Sequence, residues 1–244
     1  MTVPKSNQKA VNKYATVAAP KTVKNTWLFY AGVLNAHDKP ISGVKLPKIP
    51  KGNKQALTPE DVKKLLRSCR GSDVETAILL GLHGLRRSEI FGLKFGDIDL
   101  KAGVMFIHST IVYDVDGKTR VEKQTAKTDS SSRAVPIMSA RLKELLQGGK
   151  PENHVVTIAT SLLYKHIVKE QQKAGVPAVG IHGLRHTMAS VLNAAIPAGV
   201  NPEAIKAMGG WNSDTVLKNN YTHLFPESLR QSADIYGAIL DDLQ

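Results

Sequence analysis

The side chains that could do chemistry in this chain are mostly basic and sit in unusual local settings. Gly84-Leu85-Arg86-Arg87-Ser88-Glu89-Ile90 places an arginine at the start of a helix, directly after a glycine turn. His182-Gly183-Leu184-Arg185-His186 sets a histidine and an arginine three apart on one helical face. Lys127 ends a strand at a turn, Trp211 follows Gly209-Gly210, and Tyr221 lies ten residues further on, in Asn219-Asn220-Tyr221-Thr222-His223. Each alone has an ordinary explanation, since arginines pair at surfaces and tryptophans and tyrosines pack in cores. His182 and His186, four apart, could share a metal ion. They lack an obvious third ligand and the glutamate of a His-Glu-x-x-His helix, so no metal site is assigned. A phosphate-binding glycine loop and a dinucleotide fingerprint are also missing from the sequence, and no cofactor is expected.

Charge points the same way as these residues. The 244 residues carry a net charge of +12, unevenly spread. Residues 1–55 hold ten Lys and one acid, Asp38, a balance of +9, whereas residues 56–244 hold 23 bases against 20 acids, a balance of +3. A basic segment ahead of a nearly neutral body suits a polyanionic partner, most simply nucleic acid. A hydrophobic fraction of 42% is enough to build a core, and no apolar run reaches membrane-spanning length. Cys69 is the single cysteine, which excludes an internal disulfide and multi-cysteine metal clusters and fits a reducing cytoplasm. The polar start, Met1 to Lys13, lacks the apolar stretch of a signal peptide.

The elements that must position these residues can be read from periodicity and punctuation. Residues 1–20 are expected to be flexible. Val23, Trp27, Tyr30 and Leu34 then recur at helical spacing from Lys21 to about Ala36, an apolar stripe with nothing of its own to bury against. Pro40 to Gln55 reads as a linker, which gives a basic N-terminal segment over residues 1–55 and a main domain over 56–244. Thr58-Pro59-Glu60-Asp61 is an N-cap, a proline at the first helical position and acids in the first turn. Helices are expected to about Ser68, over Val74–Leu82, and from Arg87 to just before Gly92. Val104–Tyr113, Thr119–Lys127 and Arg133–Ile137 read as a three-stranded antiparallel meander, with Asp114-Val115-Asp116-Gly117 as its first turn. Helices resume at Ala140–Leu146, Ser161–Lys173, His182–Ala195, Pro202–Met208, Ser213–Asn220 and Pro226–Leu243. The fold class is mainly α with a small three-stranded antiparallel sheet, that is α+β.

Taken together and in this order, the motifs resemble those of the tyrosine site-specific recombinases, the phage integrase family. That family carries Gly-Leu-Arg-x-Ser-Glu, a β-hairpin lysine, His-x-x-Arg, Gly-His or Gly-Trp, and a tyrosine. These match Arg86 with Glu89, Lys127, His182 with Arg185, Trp211 and Tyr221. The wording around Lys127, Ala-Lys-Thr-Asp-Ser-Ser-Ser-Arg-Ala-Val-Pro-Ile, is similar to the family's hairpin, and the likeness runs from about residue 20 to residue 240. It implies the recombinase catalytic-domain fold and metal- and ATP-independent cleavage and rejoining of DNA through a 3′-phosphotyrosine. In that scheme Arg86 and Arg185 hold the phosphate, Tyr221 is the nucleophile, Lys127 the acid and His182 the base. Trp211 supports the phosphate or the tyrosine, and Glu89 orients Arg86. Lys94, Arg133 and His223 carry only a general expectation of phosphate contact.

The resemblance further implies double-stranded DNA as partner, a monomer when free and a homotetramer on DNA. An excisionase or a host DNA-bending protein is a further partner it allows. The family's core-binding domain is matched only by its last helices, from Pro20-Lys21-Thr22-Val23-Lys24-Asn25. Two alternatives stand beside recombination: relaxation of supercoils in the manner of a type IB topoisomerase, and DNA binding without turnover as a repressor or decoy. Leu229, Ala233, Tyr236, Leu240 and Leu243 form a terminal apolar stripe that either closes the chain's own core or docks on a neighbouring subunit. The +9 balance of residues 1–55 also has a measurable consequence. Deleting that segment is expected to flatten the slope of log DNA affinity against log salt by several phosphate contacts' worth. An unchanged slope would mean that those lysines are merely solvated.

Overall fold

The computed structural model describes residues 5–39, 41–50, 56–113, 120–124, 132–210 and 227–243. The chain divides into two compact units, residues 1–53 and 54–244. In the first, α1 (Lys5–Ala15) pairs with α2 (Pro20–Ala36), so residues 5–15 are helical where flexibility was expected. The reason is a matching stripe. Ala10, Val11 and Tyr14 of α1 face Val23, Trp27 and Tyr30 of α2, and Val11 and Val23 are buried. The apolar face of α2 therefore has its partner within the unit. Gln8 adds a two-way link, donating to the Lys45 carbonyl at 3.1 Å and accepting from the Lys45 N–H at 2.9 Å.

The second unit begins on a cap that the residue types dictate. Thr58 Oγ1 accepts from the Asp61 N–H at 3.1 Å, and the Asp61 carboxylate accepts from the Thr58 N–H at 3.2 Å, which starts α3 (Pro59–Cys69). Nearly every residue of α4 (Glu75–Leu82) is buried, and this helix forms the centre against which α8 (Ile181–Ala194) packs. The short α5 (Arg87–Gly92) follows, then β1 (Ile98–Asp99), β2 (Val104–Ile107), β3 (Ser109–Tyr113), β4 (Arg120–Gln124) and β5 (Arg133–Pro136). After the strands come α6 (Ala140–Leu145), α7 (Thr160–Ala174), α8, α9 (Pro202–Gly209) and α10 (Glu227–Asp242). α7 lies against α3. The helix expected at Ser213–Asn220 lies outside the described residues. Among the described residues no helix is long and apolar enough to cross a membrane.

The strands are antiparallel, as expected, but they are shared differently from a meander. The run expected from Val104 to Tyr113 divides at His108, whose Nε2 lies 2.8 Å from Asp97 Oδ1. Its first half, β2, pairs with β1 and with β5, in a register that sets Met105 opposite Val135 and Ile107 opposite Arg133. Its second half, β3, pairs with β4 as a separate two-stranded ribbon. β3 is held down on α5 by a close backbone approach. A Cβ at Gly92 would stand 2.6 Å from the Ser109 carbonyl oxygen, and Ser109 Oγ donates to the Gly92 carbonyl at 2.8 Å.

The terminal stripe closes this chain's own core rather than waiting for a neighbour. Ala233, Tyr236 and Leu240 of α10 are buried, and α10 packs on α6, α8 and α9. Tyr236 Oη donates to the Leu82 carbonyl at 3.0 Å, Ser232 Oγ accepts from Asn201 N–H at 3.0 Å, and Asp241 accepts from Ala140 N–H at 3.2 Å. A Cβ at Gly237 would come 2.3 Å from the Met138 carbonyl oxygen, a sign of how closely the helix lies on the turn before α6. Leu229 lies outside the described side chains.

His83, at the end of α4, is fully buried and ties the core to this layer. Its Nε2 accepts from the Met138 N–H at 3.1 Å, so its Nδ1 carries the proton donated to the Leu79 carbonyl at 2.7 Å. Burial lowers its pKa from 6.5 to about 4, against a smaller opposing effect of the Leu79 bond. A base whose folded pKa is depressed favours folding fully above 6.5 and loses that contribution as pH falls toward 4, because only the unfolded chain takes the proton. Unfolding free energy is therefore expected to drop by about 3 kcal/mol over that window, and by less in His83→Asn. Urea titrations across pH 4–7 measure this, and identical pH slopes for the two chains would contradict it.

Candidate active site

The site is built where the N-terminus of α5, the start of β5, α8 and the C-terminus of α9 meet. Gly84 turns the chain with φ +85°, a conformation that favours glycine, and a Cβ there would lie 2.9 Å from the Met188 side chain. The turn brings Arg86 to the N-cap of α5. The buried Glu89, three residues on, accepts the Arg86 N–H on Oε2 at 2.6 Å and the Arg86 guanidinium on Oε1 at 2.7 Å. One carboxylate thus caps the helix and orients the arginine whose outer half remains exposed.

Arg133 completes the environment of Glu89. Its guanidinium makes a two-pronged contact, Nη1 to Oε1 and Nη2 to Oε2, both at 2.8 Å. Burial alone would raise the Glu89 pKa. The hydrogen bonds and charge of Arg133, then the Arg86 backbone and side chain, outweigh this and hold it at about 2. Arg133 was expected only as a general phosphate contact. Instead its side chain is 3% exposed. The alternation of β5 carries the signal that could have revealed this: Arg133 shares a face with the fully buried Val135.

Three arginines also cap the end of α9, where helix carbonyls have no partners of their own. Arg133 Nε donates to the Met208 carbonyl at 3.1 Å, Arg185 Nη2 to the Gly209 carbonyl, and Arg86 Nη2 to the Gly210 carbonyl at 3.0 Å. Arg185 Nη1 also donates to the Gly84 carbonyl, which joins the turn before α5 to the end of α9. Arg185 is almost entirely buried, and burial, then the charges of Arg86 and Arg133, lower its pKa to about 10, so it remains cationic at neutral pH. Its helix is positioned by Gln171 of α7, whose buried amide donates to the Val179 carbonyl at 2.8 Å and accepts from the Val179 N–H at 3.0 Å.

His182 stands one turn before Arg185 and is exposed; its Nε2 is 2.9 Å from Nε2 of His186, so one ring donates and the other accepts. Among the described residues no cluster of three or more His, Cys, Asp or Glu could hold a metal. Lys94 pairs with Glu122 of β4 at 2.8 Å, and Arg87 is exposed beside the site. Of the candidate residues, Arg86, Glu89 and Arg185 are brought together, with His182 on the same helix as Arg185. Lys127, Trp211 and Tyr221, and likewise His223, lie outside the described residues.

The chain belongs to the phage integrase family, whose sequence model matches residues 55–228. It is 29% identical, over 71% of its length and 51% of the relative's, to a XerC-like tyrosine recombinase of Caldanaerobacter subterraneus subsp. tengcongensis. It is 26% identical to the integrase of Salmonella phage P22, over 82% of its length and 52% of the relative's. The chain thus spans about half the length of these two relatives. In three dimensions it is similar to the Tn1549 transposon integrase, residues 82–397, with a TM-score of 0.69 at 22% identity over 96% of this chain and 85% of that one. A fragment of lambda integrase matches with a TM-score of 0.56 at 16% identity, over 87% of this chain and 80% of that one. The fold is therefore that of the recombinase catalytic domain, as the motifs imply.

The turn before Arg86 offers a direct check on how the site is held. Gly84→Ala is expected to cost about 1–3 kcal/mol of unfolding free energy, because a side chain at positive φ is strained and Met188 must also move. Urea midpoints of the two chains measure this, and unchanged stability would show that the turn relaxes freely.

Proposed function

We propose that the chain cleaves and rejoins strands of double-stranded DNA as a tyrosine recombinase, through a covalent 3′-phosphotyrosine at Tyr221. The observation that supports this reading most is the convergence of the Arg86, Arg133 and Arg185 guanidiniums on the last carbonyls of α9, immediately before the chain that leads to Trp211 and Tyr221. Cleaving a phosphodiester needs positive charge at its non-bridging oxygens as negative charge builds there. Guanidinium groups supply it with two-point geometry and stay protonated.

In this scheme Arg86 and Arg185 hold the scissile phosphate. The Tyr221 phenol oxygen attacks phosphorus and its proton passes to His182. The bond from phosphorus to the 5′ oxygen breaks, and Lys127 donates a proton to that oxygen. The products are a strand joined to the protein by a 3′-phosphotyrosine and a free 5′-hydroxyl. A 5′-hydroxyl from a second strand reverses the step, so the intermediate conserves the bond and neither a metal nor ATP is called for. Trp211 supports the phosphate through its indole N–H or packs on the tyrosine, and Glu89 keeps Arg86 aimed.

Duplex DNA as partner is supported by the Tn1549 integrase, solved with transposon right end DNA, and by the lambda integrase fragment, solved on a core site. Assembly as a tetramer on DNA, and recruitment of an excisionase or a bending protein, rest on the family resemblance. The basic residues 1–55 serve in this reading as core-binding-domain sequence, adding phosphate contacts to those of the catalytic domain.

The test uses the full chain and a library of randomised nicked duplexes, from which denaturant-resistant protein–DNA adducts are captured and sequenced. The wild-type chain is expected to form adducts and Tyr221→Phe to form none while still binding DNA. Binding without adducts in both would leave a DNA-binding protein without turnover. On a captured sequence, losing Arg86 or Arg185 is expected to raise the cleavage barrier by about 2–4 kcal/mol. A bridging 5′-sulfur, which leaves without an acid, should rescue Lys127→Ala and neither arginine variant. Equal rescue of all three would remove the acid role.

A further inference from the structure

We infer that Arg133 is a positioning residue for the phosphate-binding pair, acting through Glu89 and through the end of α9. The inference rests on the reading that Arg86 and Arg185 hold the scissile phosphate. Arg133 is buried like Arg185 but differs in what holds its guanidinium: both of its Nη groups donate to the Glu89 carboxylate, whereas Arg185 donates to the Gly84 and Gly209 carbonyls. Among the described residues its side-chain donor contacts go inward: two to Glu89, one to the Met208 carbonyl and a longer one, 3.5 Å, to the Gly84 carbonyl.

Its first effect is electrostatic. Glu89 is needed to aim Arg86, but a buried carboxylate facing Arg86 alone would cancel the charge that the phosphate must feel. Arg133 supplies a second cation to the same carboxylate, so the trio keeps a net positive charge while Glu89 stays ionised. Its second effect is registration. By clasping Met208, Arg133 sets the carbonyl ladder on which Arg185 and Arg86 occupy the next two rungs, Gly209 and Gly210. The fork on Glu89 and the bond to Met208 leave from one rigid, planar guanidinium, so the start of α5 and the end of α9 are held at a fixed spacing.

The experiment measures single-turnover adduct formation by the full chain at saturating DNA, on a nicked duplex recovered in the capture described above. Arg133→Met is expected to slow it about 100-fold, the cost of an ångström-scale misplacement, with DNA affinity within about threefold of wild type. Glu89→Gln in the same background should recover at least about tenfold, because it removes the carboxylate that Arg133 no longer balances. Rates are taken per folded molecule, measured by circular dichroism, because a purely structural role predicts wild-type rates once the folded fraction is accounted for. Wild-type rates in folded Arg133→Met would overturn the proposal. If that variant fails to fold, Arg133→Lys decides, since it keeps the charge and loses the fork. It should be about tenfold slow, and an unchanged rate would overturn the proposal.

A second readout needs no catalysis. In the wild-type chain the Arg86 guanidinium is held on both arms, by Glu89 and Gly210, so its Nη signals should be resolved by NMR; in Arg133→Met they should average. Resolved signals in both would overturn the proposal. A wild-type chain that forms no adduct would overturn the recombinase reading and leave this comparison standing.

Discussion

A carboxylate that is 4% exposed has to be neutralised by its neighbours, and the geometry around Glu89 follows from that requirement. Among the described residues its two oxygens take four hydrogen bonds: two from Arg86, backbone and side chain, and two from Arg133. The more distant partner, Arg133, lies 44 residues from Glu89 along the chain. The carboxylate can be buried only when α5 and β5 are both in place, so this ion cluster is also a test of correct assembly. Its energy as stability is the lesser matter. Burying such a cluster is costly, and a hydrophobic replacement would serve a core at least as well. What the cluster secures is direction for one exposed guanidinium.

The same arginines solve a second problem, at the end of α9. Helix carbonyls there lack intrahelical partners and carry the negative end of the helix dipole. Gly210, with φ +58°, ends the helix, and three guanidiniums take three successive carbonyls. Residues 208–210 therefore start the following chain, which holds Trp211 and Tyr221, from a point fixed by the groups proposed to bind phosphate. Anything that draws Arg86 toward a phosphate also acts on the Gly210 carbonyl. The guanidiniums proposed to bind phosphate and the end of α9 thus share hydrogen bonds.

Away from the site, two helices find partners within their own unit. α10 covers the α6–α9 side of the core and anchors its one buried phenol on Leu82, and α1 covers the stripe of α2. Both follow from the same physics: an amphipathic face is stable only when covered, and the cover that lies nearest along the chain costs the least loop entropy. A tetramer in which C-terminal segments pass between subunits would first have to lift α10 off its own Tyr236 and Leu240 contacts.

Local sequence determined most of the helices, through the Thr58 cap, the glycine turn at Gly84 and the 3.6-residue stripes, because these depend on side chains within a few residues of one another. The order of Arg86, Glu89, His182 and Arg185 was legible for the same reason, since each lies in a short motif whose spacing marks it. Strand sharing was not. The run from Val104 to Tyr113 looks continuous, and only the competition of β5 and β4 for it decides that it divides at His108. The partner of Glu89 was not legible either. Arg133 reads as one more base in a basic chain, and its burial depends on a register, Ile107 opposite Arg133, set by contacts far away in sequence. Whether the terminal stripe covers its own core or a neighbour's was equally open, since amphipathicity specifies that a face is covered and leaves the choice of cover to the tertiary structure.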